Sequence, residues 1–323
     1  MRISYPERQS ERDKWILTRR KFSSGRNALD PMRPYAFFVE EECDSSGEIV
    51  PIATLFLTNR ECPWHCLMCD LWKNTLAESV PAGAIPAQID YALTHLSPAR
   101  QIKLYNSGSF FDPRAIPVGD YPAIAERIAG FERAIVECHP ALIGENSFRF
   151  KELVAGRLEV ALGLETVHPD VLEKLNKRMT IDQFAAAAVR LRERDIELRV
   201  FILVKPPFLS EHEAPLWAKR SLDFAFDCGA TAATLIPTRA GNGAMETLAA
   251  IGDFLPPRLA TLETAVAYGI GLGRGRVFAD LWDLKPGMEC PHCYPERMAR
   301  LRRMNVQQTV SPPIACAACG GSC

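Results

Sequence analysis

The sequence has no apolar run approaching the ~18 residues that a membrane-spanning helix needs, so a span is not expected. Its first twenty residues are polar and charged, without the apolar centre of a secretory leader. Neither sign of charge is in excess: 38 Lys and Arg against 39 Asp and Glu leave −1 overall, which removes whole-molecule attraction to nucleic acid or membrane but leaves local patches open. There is no internal repeat or low-complexity segment, so a solenoid is not expected. With 47% apolar and 24% charged residues, the composition is that of a soluble, cytoplasmic globular protein. The 323 residues suit one large core with a small appendage.

What is abundant is cysteine. Eleven occur, three within 62–69 and five within 290–323, leaving Cys43, Cys138 and Cys228 scattered. A disulfide scaffold is usually secreted and below ~100 residues, which does not fit this chain. In a reducing compartment, clusters at such short spacing point to metal or iron–sulfur ligation. The scattered three read as small core or surface residues.

Between the clusters, compact β-forming runs alternate with helical patterns. Strands are expected at 52–57, 102–105, 134–137, 158–164, 198–204 and 232–236, with helices between them. Such alternation predicts right-handed βα units around a parallel sheet. Six units fall short of the eight of a closed barrel, so the expected fold class is α/β, a partial (β/α)6 TIM-type barrel with a small Cys-rich C-terminal metal-binding domain. The expected divisions are a basic extension at 1–45, the barrel core at 46–255, a connecting segment at 256–284 and the Cys-rich tail at 285–323.

The first expected strand runs into Cys62-Pro-Trp-His-Cys66-Leu-Met-Cys69, a C-x3-C-x2-C spacing. Three thiolates on one loop can hold three irons of a [4Fe–4S] cube that normally takes four, which leaves one iron open to a ligand. Position after the first strand places the loop at the barrel's C-terminal mouth, where such barrels carry their chemistry. A zinc site completed by His65 is the rival, though adjacent His65 and Cys66 are awkward ligands for one tetrahedral ion.

This triplet, the turn Asn106-Ser107-Gly108-Ser109 after the second strand, and Gly163-Leu164-Glu165-Thr166 after the fourth resemble the radical S-adenosylmethionine (SAM) enzymes. The run IKLYNSGSFFDPR, the stretch Glu137-Cys138-His139-Pro140 and FILVKPPFLSEHEA look closest to the archaeosine-synthase-like, tRNA-modifying group, to which the Elongator catalytic subunit is related. The resemblance implies that Cys62, Cys66 and Cys69 bind a [4Fe–4S] cluster. It also implies that Ser107, Gly108, Glu165 and Met68 contact SAM, and that a reduced flavodoxin or ferredoxin supplies electrons. Cluster-driven cleavage of SAM then yields a radical that takes hydrogen from substrate. The substrate reading is a tRNA base, with a small metabolite or peptide as the alternative. A non-enzymatic nucleic-acid-binding protein folded on metal knuckles is the rival from outside enzymology. Lys205 and Arg239, at the ends of the fifth and sixth strands, and the run Asn176-Lys177-Arg178-Met179 are expected at the rim. No catalytic residue is assigned from the sequence and none stands out for returning hydrogen; Cys138, at a strand end, is one to test by substitution.

Cys290-Pro-His-Cys293 and Cys316-Ala-Ala-Cys319 form two C-x2-C knuckles, read as zinc or a second iron–sulfur cluster, with Cys323 or His292 as a spare ligand. Arg297, Arg300, Arg302 and Arg303 lie between them. Residues 1–34 carry nine Lys or Arg against four acids, so arm and knuckle together are expected to grip RNA phosphates.

Overall fold

The computed structural model describes residues 4–282, 284–286, 289–319 and 321–322. Among them, eight strands make one curled sheet in chain order: β1 (Ala36–Cys43), β2 (Ile49–Phe56), β3 (Gln101–Tyr105), β4 (Arg133–Cys138), β5 (Arg157–Glu165), β6 (Glu197–Val204), β7 (Ala232–Pro237) and β8 (Arg276–Ala279). From β2 to β8 every neighbour is parallel, whereas β1 runs antiparallel to β2. The six expected strands are present, and the partial barrel is extended by β1 at one edge and β8 at the other. No helix among the described residues is long and apolar enough to cross a membrane.

The helices are α1 (Gln9–Arg20), α2 (Ala84–Leu93), α3 (Tyr121–Arg127), α4 (Glu145–Leu153), α5 (Pro169–Lys174), α6 (Ile181–Arg192), α7 (Ala214–Asp227), α8 (Ala244–Ala250), α9 (Leu259–Gly271) and α10 (Tyr294–Gln307). A last short hairpin pairs β9 (Ala315–Cys316) with β10 (Gly321–Ser322). Each strand's period of two sorts its side chains. Leu158, Val160, Leu162 and Leu164 of β5, and Leu198, Val200, Ile202 and Val204 of β6, join the apolar layer under the helices. The intervening residues point into the lumen.

Near the lumen's closed end those residues are charged. Glu42 of β1 meets Arg199 of β6 and, at 2.5 Å, Lys103 of β3. Glu159 of β5 takes Arg199 at 2.5 Å, Arg276 of β8 at 2.8 Å and Arg133 of β4 at 3.6 Å. Glu40 and Glu197 complete the set, pairing Lys103 and Arg133. Burial alone would raise the Glu42 and Glu159 carboxyls, yet the surrounding cations hold both below their ordinary range. Contacts from Glu42 of β1 to β3, β6 and, at 3.8 Å, Arg276 of β8 show how far the sheet curls.

The seam between the edge strands is covered by α10, which touches both β1 and β8. Along β8 the helix presents side-chain amides in place of a ninth strand. Gln308 accepts from the Val277 N–H and donates to its carbonyl, and Asn305 does the same for Ala279. An exposed edge strand is a template for aggregation, and this ladder satisfies it.

Candidate active site at the barrel mouth

The loop of 62–69 follows β2 and is held by backbone contacts to distant elements. Asn242 Nδ2 donates to the carbonyls of Leu67 (2.7 Å) and Cys69 (3.1 Å), while Asn176 Nδ2 donates to the His65 carbonyl at 2.8 Å. The Leu67 N–H reaches the Leu175 carbonyl at 2.9 Å. Leu67 itself is fully buried in a small cluster with Trp15 and Ile16 of α1 and Met245 and Leu248 of α8. Sequence periodicity gave no hint of α1, because its buried face mixes Trp15 and Ile16 with Arg12 and Arg20.

Cys62, Cys66 and Cys69 lie half-buried on this loop. Burial pushes their thiols up to about 12, a cost that a bound cation reverses by stabilising the thiolates. Two backbone N–H groups, of Trp64 and Leu71, already favour the ionised sulfurs of Cys62 and Cys69. His65 turns its Nδ1 toward Asp13 at 3.7 Å. Trp64 stacks on His139 with ring centres 3.9 Å apart. The His139 Nδ1 accepts from the Ala141 N–H, so Nε2 carries the proton and donates to the Lys177 carbonyl at 3.0 Å. Burial, with Lys177 close by, lowers this imidazole to about 3, and it is neutral at physiological pH.

The second expected element stands beside the first. A Cβ built on Gly108 would sit 3.3 Å from the Cys62 Cβ, so the turn after β3 lies close against the cysteine loop and a side chain there would push it by a few tenths of an ångström. Ser107 bonds Tyr35 at 2.8 Å, oxygen to oxygen. Glu137, at the end of β4, accepts the Asn106 N–H at 2.6 Å and faces those of Ser107 and Gly108; burial nonetheless holds its carboxyl above its usual value. Asn106 Oδ1 is buried beside this turn with no hydrogen-bond partner among the described residues. A small-residue cradle with a waiting acceptor, next to three thiols on one loop, fits an amine-bearing cofactor and a thiolate-ligated cluster.

Glu165, at the end of β5, meets Lys177 at 2.6 Å in a buried pair. Burial opposes the lysine's charge, but Glu165 and the sulfurs of Cys66 and Cys62 outweigh it and hold the ammonium above its ordinary value. A side chain on Gly163 would overlap both Glu165 Oε1 and Lys177 Nζ. Met68 packs against the apolar clusters flanking the loop. Below the mouth, Phe38, Phe56, Tyr105 and Phe201 line the lumen in mutual edge and tilted contacts, and Trp282 stacks on Phe38 at 5.6 Å. Sequence reading missed this aromatic wall, because each member sits alone on its own strand.

Several expectations are corrected by these neighbours. Lys205 pairs with a neighbouring acid, the alternative to a ligand contact, bonding Glu211 at 3.3 Å and the Leu255 carbonyl at 2.7 Å. Arg239 does reach the rim, where it holds the Trp282 carbonyl (2.6 Å) and Asp280 (3.5 Å). Cys138 points outward into the apolar layer with Phe110 and Tyr121, the wrong face for a hydrogen donor to the lumen. Arg297 and Arg300 are buried against Glu263, and Arg12 and Arg20 against Glu173 and Glu61, so they offer no charge to phosphate; Arg302 and Arg303 remain exposed. Cys290, Cys293, Cys316 and Cys319 converge, their sulfurs within 4.8 Å of one another. Cys323 lies outside the described residues.

No known family profile matches the sequence. An uncharacterised protein of Methanocaldococcus jannaschii is 24% identical over 250 residues, 72% of this chain and 68% of that one. Archaeosine synthase subunit beta of Methanosarcina acetivorans is 26% identical over 218 residues, 64% of this chain and 63% of that one. Among solved structures, an N-terminally truncated Elp3 from Methanocaldococcus infernus superposes with a TM-score of 0.50 at 13% identity, covering 68% of this chain and 58% of that one. The fold is thus like that of the truncated Elp3, and the sequence is similar to archaeosine synthase subunit beta. Within that fold, the cysteine loop after β2 and the turn after β3 share the C-terminal mouth of the sheet.

Proposed function

We propose that this protein is a radical SAM enzyme that cleaves SAM reductively and modifies a base in tRNA. The observation carrying the proposal is the contact between the cysteine loop and the Gly108 turn, with the Glu165–Lys177 pair at the same mouth. Cys62, Cys66 and Cys69 are the ligands for a [4Fe–4S] cluster, which when bound supplies the electron for cleavage and an open iron for SAM. Ser107 and Gly108 contribute backbone close to Cys62, and Asn106 Oδ1 offers an acceptor to the SAM amino group. Glu165, with Met68 beside the loop, completes the SAM contacts, and Lys177 holds that side chain in place. Trp64 stacked on His139 shields the loop from water. The aromatic lumen suits a planar substrate ring, since stacked aromatic contacts favour flat partners. A tRNA base is supported by the relationship to archaeosine synthase subunit beta. A flavodoxin- or ferredoxin-type donor is the partner such cleavage needs.

The test is anaerobic reconstitution of the full chain with iron and sulfide, then dithionite and SAM, with 5′-deoxyadenosine measured with and without bulk tRNA. Cleavage raised by tRNA is expected. Cleavage raised by small molecules and not by tRNA overturns the substrate assignment; no cleavage from iron-loaded protein overturns the enzyme.

A further inference from the structure

The C-terminal cysteines are arranged differently from the mouth triplet. The Sγ atoms of Cys290 and Cys316 are 4.0 Å apart, and all four sulfurs lie within 4.8 Å of one another. Zinc–sulfur bonds of about 2.3 Å on a tetrahedron give sulfur–sulfur edges of about 3.8 Å. A cubane cluster holds each cysteine on a different iron, outward from the cube, so its ligand sulfurs stand much farther apart. The spacing is that of a single ion. Each knuckle is a short turn: the Cys290 carbonyl accepts the Tyr294 N–H that opens α10, and Cys316 to Cys319 caps the β9–β10 hairpin.

What the ion would fasten follows from α10. Cys293 is the residue at its N-cap, and from there the helix runs across the seam between β1 and β8. Its first turns are held by Arg297 and Arg300 on Glu263 of α9, and its far end by the Asn305 and Gln308 ladder on β8. Its Tyr294 hydroxyl donates to the Leu284 carbonyl at 2.6 Å, just beyond Trp282, which stacks on Phe38 at the lumen.

We propose that Cys290, Cys293, Cys316 and Cys319 bind one zinc ion, and that this ion seats α10 over the barrel seam and thereby steadies the rim segment carrying Trp282. This deepens the reading that the C-terminal cysteines take a metal, and it does not depend on SAM chemistry.

The test uses the full chain purified without oxygen, with zinc and iron measured together. One zinc per chain is expected, unchanged in Cys66→Ser, which loses iron at the mouth loop. Cobalt(II) in place of zinc is expected to give the strong thiolate-to-cobalt absorption and visible bands of a tetrahedral site, both lost in Cys316→Ser. Hydrogen exchange reads the fastening: chelator treatment of the wild-type chain speeds exchange in α10 and at the Val277 and Ala279 amides, while β3 to β6 keep their protection. Iron at the content of two clusters, or iron without zinc, overturns the ion. Zinc lost with unchanged exchange in α10 and β8 overturns the fastening. The chelator arm decides the matter even where Cys316→Ser fails to fold, and neither outcome touches the mouth cluster.

Discussion

The two sulfur-rich regions are built by opposite means. The loop of 62–69 owes its shape to residues far away in the chain: Asn176, Leu175 and Asn242 grip its backbone, and α1 and α8 bury Leu67. The knuckles of 290–319 are shaped by their own turns and the helix that starts between them, and their sulfurs already converge. A self-contained set suits an ion whose role is structural. A loop shaped by the whole barrel makes the placement of its sulfurs depend on elements from across the chain.

The largest effect that sharpens this contrast is Cys66→Ser. Iron content and reductive SAM cleavage are expected to vanish, with zinc unaltered; loss of both metals together would break the comparison. Next, Glu165→Gln leaves the Lys177 ammonium buried without its partner. Chemical denaturation is expected to show a loss of about 3–5 kcal/mol, restored in large part by adding Lys177→Met. At the knuckles, Glu263→Gln is expected to cost less, because Arg297 keeps Glu289 and Arg300 keeps the Ser311 carbonyl, while leaving SAM cleavage without substrate intact.

Smaller is the acid sensitivity of the mouth. Folded His139 stays neutral down to about 3, whereas unfolded histidine binds a proton below about 6.5, so the unfolded chain gains protons that the folded one refuses. Stability from this group is complete above pH 6.5 and falls by about 1.4 kcal/mol per pH unit below it. His139→Phe keeps a flat ring against Trp64 and is expected to remove that slope in urea titrations at pH 5 and 7. The smallest change is Arg302→Ala with Arg303→Ala. Stability is expected to hold within about 0.5 kcal/mol, while the salt dependence of tRNA binding weakens by a slope of about 2. An unchanged slope would show that the exposed knuckle cations do not meet phosphate.

Much of the barrel was legible because apolar alternation along β2 to β7 reports the layer under the helices. The edges were not. In β1 the sequence reads Glu40-Glu41-Glu42, which looks like a solvated acidic stretch, yet Glu40 and Glu42 face cations inside the lumen. Strand β8 has only four residues and sits among glycines and prolines. The cysteine spacing revealed both sulfur sites, since ligands close in sequence need no tertiary knowledge. The partners that shape the mouth were hidden for the reverse reason: Glu137, His139 and Lys177 act through contacts that no local pattern records. Counting arginines overstated the basic surface, because burial against Glu263, Glu173 and Glu61 cancels four of them.

The charged floor of the lumen carries a consequence for how the sheet is assembled. Lys103, Arg133, Arg199 and Arg276 come from different strands, and each finds a carboxylate on another strand. Sliding any one strand by a single residue would turn its ion toward the apolar helix layer and leave its partner desolvated and alone. The floor therefore acts as a combination lock on strand alignment: it adds little to net stability, and it penalises near-miss pairings that apolar alternation alone would tolerate. The last tumbler is Glu42, which arrives from the antiparallel first strand, so a chain synthesised without that strand would keep a wet, mismatched interior.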